Sequence, residues 1–202
     1  MELTGYVSLA ILLVIWMASL LKLIPKGRFP FLAAFLLLAA ALFWASRQQF
    51  LLWQNNEISK FLIPPYAPIN YFVYYTFTRL WLPYLVSGVA GLVGLWVAVF
   101  FNRKYGGRFF YDEEPYYPAL GLFLTDHPGW ILYLILSLAV YLVLVIACPP
   151  KPREAGRRWG YWILKKETQR VSFYYLWLPL AAITIPLDAW LLKFEFYSNL
   201  IL

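Results

Sequence analysis

The chain has 202 residues, 62% of them hydrophobic, 21% aromatic and only 13% charged, with a formal net charge of +7. A soluble domain of this size has no core large enough for so much apolar surface, so lipid is the expected solvent and a separate water-soluble domain is not expected. One cysteine, Cys148, and one histidine, His127, exclude an internal disulfide and a four-thiolate zinc site, so neither metal nor cofactor is expected.

Five apolar runs, 6–24, 29–45, 80–101, 130–148 and 171–192, each come close to the ~20 residues that a membrane-crossing helix needs. The first follows Met1-Glu2-Leu3-Thr4, which has no basic n-region, so it reads as a span and not as a cleaved signal. A further run, 61–78, is apolar and aromatic but interrupted near its start by Pro64, Pro65 and Pro68. The span at 80–101 carries Ser87, Ala90, Gly91 and Gly94, small residues at helical spacing that let another helix pack closely. Packing within the chain and dimerisation use the same physics here, so an oligomer is one expectation.

A short run, 116–124, leads into the turn Thr125-Asp126-His127-Pro128-Gly129 and then the span beginning at Trp130. Seven of the seventeen Lys and Arg lie in the loop 149–170, among them Arg157, Arg158, Lys165 and Lys166. Their clustering argues against nucleic acid. It fits a cytoplasmic loop under the positive-inside rule, with anionic lipid headgroups or a protein as partners. Asp188, inside the last run, is an ionisable group at membrane depth and so a candidate polar site.

The expected fold is therefore all-α: one transmembrane domain, 1–202, forming a polytopic helical bundle of six or seven crossings including one short helix. Six crossings, counting 116–124, put thirteen basic residues on one side and four on the other, with both termini opposite the basic side. A seventh at 61–78 gives twelve and five. Charge does not separate them. The choice governs chemistry, because Glu57 and Glu113 share a face only with seven crossings.

Glu57 opens a string in which Pro64, preceded by Ile63, stands seven residues on. Glu113 opens another in which Gly121 stands eight residues on, inside Ala119-Leu120-Gly121-Leu122-Phe123-Leu124. With the Pro128-Gly129 turn and the long apolar run beyond, Glu57 to Val145 resembles the type IV prepilin peptidases and their preflagellin relatives, which are membrane-embedded aspartic proteases. The resemblance implies a catalytic pair, Glu57 and Glu113, a membrane-anchored peptide as substrate, and the cell membrane of a prokaryote as location. The chain departs from the family pattern in carrying glutamate at both catalytic aspartates. Phe110, Tyr111 and Asp112 stand where the family has Gly-x-Gly. A carboxylate pair hydrolyses peptides by sharing one proton, which requires the two groups to meet. Read without the resemblance, Glu57 and the acids 112–114 are solvated loop residues, the latter favoured near a helix start. The rival to a divergent peptidase relative is a non-enzymatic membrane scaffold or assembly subunit. A small transporter component ranks third.

Overall fold

The computed structural model describes residues 3–21, 28–107, 110, 114–147 and 176–194. Among them the chain is all-helical, and two helices are long and apolar enough to cross a membrane. One spans 29–55 within α2 (Arg28–Asn55); the other runs unbroken from Asn70 to Lys104 over 35 residues, or about 50 Å at 1.5 Å per residue. This second helix joins α3 (Asn70–Thr76), a π-helical turn (Phe77–Trp81) and α4 (Leu82–Lys104). The remaining helices are α1 (Leu3–Leu20), α5 (Tyr116–Leu124), α6 (Gly129–Ala147) and α7 (Trp177–Leu191).

The run 61–78, the seventh crossing of one of the two arrangements, does not form a helix of its own. Ser59–Leu62 makes one 3-10 turn, and non-helical chain carries Pro64, Pro65 and Pro68. Residues 70–78 then belong to the same helix as the expected span at 80–101. The physical reason is the placement of the prolines. Three of them forbid a helix before residue 69, and nothing between Asn70 and Leu82 breaks one. Pro83 comes next, with no N–H for the carbonyl of Arg79 four residues earlier. The chain widens instead of breaking: the Leu82 amide donates to the carbonyl of Phe77, five residues back.

α2 and the long helix form an antiparallel hairpin. Phe50 and Trp53 meet Phe72 edge-on, and Phe43 meets Trp81 at 4.8 Å between ring centroids. Trp81 Nε1 donates to Ser46 Oγ at 3.2 Å across the same seam. α1 lies alongside, with Ser8 Oγ 3.3 Å from the Tyr84 hydroxyl. α6 and α7 run antiparallel: Gly129 packs beside Asp188, and the Tyr133 hydroxyl donates to the Trp177 carbonyl at 3.3 Å.

α5 sits at the centre of the bundle. Its nine residues span about 13 Å, too little to cross a bilayer, and everything from Ala119 to Leu124 is buried against α1, α2, α4, α6 and α7. The small residues of α4 explain how it fits. Ser87, Gly88, Gly91 and Gly94 face it, while Ala90 is only half-buried. A Cβ on Gly91 would stand 2.8 Å from the Ala119 carbonyl oxygen, so the two helix backbones are almost in contact.

A helix that ends inside protein needs partners for its last carbonyls. The Thr125 hydroxyl donates to the carbonyls of Gly121 (2.9 Å) and Leu122 (3.2 Å), and the Ser87 hydroxyl donates to that of Phe123 at 3.0 Å. Ser87→Ala should therefore lower stability by about 1–2 kcal/mol, as one buried carbonyl loses its donor. Ser87→Thr, which keeps the hydroxyl, separates this loss from any change of volume. Unfolding in detergent, followed by tryptophan fluorescence, measures both.

Candidate functional site

Four polar loci stand out among the described residues. Glu57 is exposed in the turn that follows α2, where Asn56 Oδ1 accepts from the amides of Ile58 and Ser59 at 2.9 and 3.0 Å. Its expected partner Glu113 lies outside the described residues, but the chain on either side of it is described. Phe110 is tied to Asn102 by two hydrogen bonds of 3.0 Å, the Asn102 amide donating to its carbonyl and its own N–H donating to Asn102 Oδ1. Glu57 and Asn102 thus stand at opposite ends of the helix Asn70–Lys104.

Glu114, also expected to be a solvated loop acid, is instead 2% exposed. Trp177 Nε1 donates to its Oε1 at 3.4 Å, linking the entry to α5 with the start of α7. The string Glu114-Pro115 before an apolar run gave no hint of this. The neutral indole donor comes from a residue 63 positions away.

The third locus lies at the other end of α5. Asp188, from α7, is 8% exposed, and its carboxyl carbon would stand 3.3 Å from a Cβ on Gly129. Asp126 Oδ1 would stand 3.5 Å from the same point, so the two carboxyl groups converge on Gly129. A Cβ at 129 would press on the Asp188 carboxyl group and touch that of Asp126. Trp130 Nε1 donates to His127 Nδ1 at 3.2 Å beside the pair. Asp126 itself has φ 47°, a left-handed conformation that a short polar side chain tolerates. Asp188 thus takes its place in the bundle beside the turn containing His127, a juxtaposition that neither span alone makes visible. Among the described residues, no group of three or more His, Cys, Asp or Glu is arranged to hold a metal ion.

The fourth locus was not expected from the sequence. A cavity of about 490 Å³ opens between the start of α1, α2 and the long helix. Its polar lining is Thr4, Gln48, Gln49, Tyr75 and Arg79, with Leu52 among the apolar residues. Arg79 stands in the π-helical turn. Trp81 and Ser46, hydrogen-bonded to one another, hold α2 and the turn together beside the cavity. The signal available in the sequence was a pair of interruptions: Gln48-Gln49 just past the apolar run 29–45, and Arg79 just before the run 80–101.

Arg157, Arg158, Lys165 and Lys166, with the rest of the basic loop, lie outside the described residues. No family model, curated protein or solved structure matches this chain.

Proposed function

We propose that this chain is an integral membrane protein acting as a non-enzymatic helical subunit, a scaffold or assembly component organised around the buried helix α5. One observation carries the reading. In the apolar windows of the two long helices, only 22% and 17% of residues are buried by the rest of the chain. A core helix of a soluble protein is mostly buried. Here Leu36, Phe43, Val89, Leu92 and Trp96 all lie exposed, forming apolar surface that calls for lipid or a partner helix.

Charge agrees with a six-crossing arrangement in which α5 is a partial crossing. The connections after α1, after α4 and after α6 then open on one side and carry thirteen of the seventeen basic residues, as a cytoplasmic face does. A buried short helix is compatible with lipid because protein encloses it and hydroxyl groups take its end carbonyls. Alkaline carbonate washing of membranes should leave the protein in the pellet. Release into the supernatant would refute a bilayer-spanning chain.

Kinship with prepilin peptidases is the second reading. It is favoured by the short helix Tyr116–Leu124 containing Gly121, followed by a Pro128-Gly129 turn and a long apolar helix. The two readings part on whether residues 57 and 113 share a membrane face. Catalysis by that pair requires that they do.

A further inference from the structure

We propose that the cavity around Arg79 is a binding site for the phosphodiester headgroup of an anionic phospholipid, in the leaflet opposite the basic loops. The inference rests on the membrane reading above. It concerns a different surface from the basic loop 149–170.

Position is the first argument. The aliphatic run of α2 ends at Ala45 and that of the long helix begins at Leu80; beyond this shared level, polar residues alternate with aromatic ones such as Trp53, Tyr71 and Tyr75, as in an interfacial belt. Gln48, Gln49 and Arg79 line the cavity just beyond that level, which is headgroup depth. α1 starts there too, and Thr4 closes one wall.

Chemistry is the second. The lining offers a guanidinium, two amides, a hydroxyl and a phenol, and no acidic residue among the described residues. Guanidinium binds phosphate through charge-assisted, often bidentate hydrogen bonds. Among the described lining residues there is no carboxylate to receive the ammonium of a zwitterionic headgroup, which favours an anionic lipid. Among the described residues, Arg79, Gln48 and Gln49 have no hydrogen-bond or ion-pair partner. An arginine bordering lipid is costly unless paired.

The third argument is size and local geometry. At about 490 Å³ the cavity falls within the range of about 300–1,000 Å³ typical of small-ligand sites. Leu52 gives the start of an acyl chain an apolar wall. The π-helical turn holding Arg79 is a distortion that recurs at functional sites.

The test uses the full chain purified in a neutral detergent, its thermal unfolding measured with added phosphatidylglycerol, phosphatidylcholine or inorganic phosphate. Phosphatidylglycerol should raise the midpoint above the value in phosphatidylcholine, and inorganic phosphate should leave it unchanged. Arg79→Gln should remove the preference, equivalent to at least about tenfold weaker binding for one charge-assisted contact. Arg47→Gln, a change at an exposed arginine outside the lining, should retain it. Should Arg79→Gln not fold, Gln48→Leu reads the same preference and should reduce it. Equal stabilisation by both lipids, or a preference that survives Arg79→Gln, would overturn the proposal. A matching shift with inorganic phosphate would assign the cavity to a free anion instead. Release by carbonate would defeat the membrane reading separately, before any lipid is added.

Discussion

With Cys148 replaced by serine, a cysteine at Asn56 should react with a membrane-impermeant thiol reagent from one side of the membrane, and a cysteine at Lys104 only from the other. The expected contrast is all or none. Both positions are exposed, so accessibility of the side chain does not limit either reaction. What separates them is the helix Asn70–Lys104, whose 35 residues reach about 50 Å, beyond the ~30 Å of a hydrocarbon core. Asn56 sits in the turn before this helix and Lys104 is its last residue.

The same measurement bears on chemistry. A second pair, Asn56 and Tyr111, brings the label next to each glutamate of the resemblance. If these two thiols react from the same side, residues 57 and 113 can approach one another, and the peptidase reading displaces the scaffold. If they react from opposite sides, no proton is shared between Glu57 and Glu113. Among the described residues, the acids that converge are Asp126 and Asp188 at Gly129.

Why some of this was legible in the sequence and some was not can be traced to particular residues. Apolar length identified the helices α1, α2, α4, α6 and α7, because each is a continuous apolar run that no local signal contradicts. The short helix at 116–124 was legible at both boundaries, Pro115 on one side and Thr125 on the other. Its central place was not, since length says nothing about neighbours. The small residues Ser87, Gly91 and Gly94 announced a close contact, but its partner, Ala119 to Phe123, is visible only in three dimensions. At 61–78 the apolar content left two arrangements open. Composition cannot distinguish a separate crossing from an extension of the next helix, and the deciding fact is that the chain stays helical from Asn70 through the π-helical turn at Phe77–Trp81. Glu114 and Asp188 show the same limit for polar groups. Their burial depends on Trp177 and Gly129, which approach from other helices.

Gly91→Leu should be the most damaging single substitution in the α4–α5 seam. The first atom of any side chain at 91 would fall 2.8 Å from the Ala119 carbonyl oxygen and 3.6 Å from the Phe123 amide nitrogen. The second is ordinary contact, but the first is a clash with backbone, which no rotamer change relieves. At Gly94 the nearest obstacle is a Leu122 methyl at 3.1 Å, and at Gly88 the Phe123 ring at 3.3 Å, side-chain atoms that are able to shift. Overpacking usually costs about 1–3 kcal/mol, and an obstacle of fixed backbone argues for the upper end or beyond. Displacing α5 also withdraws the Phe123 carbonyl from Ser87, which adds an unsatisfied buried acceptor. The expected order of loss in detergent unfolding is Gly91→Leu greatest, then Gly91→Ala, with Gly94→Ala and Gly88→Ala mildest. If Gly91→Leu unfolds at the wild-type midpoint, α5 does not lie against α4. The loss should also be unaltered by a change in protein concentration, because the surface that Gly91 serves is supplied by α5 of the same chain.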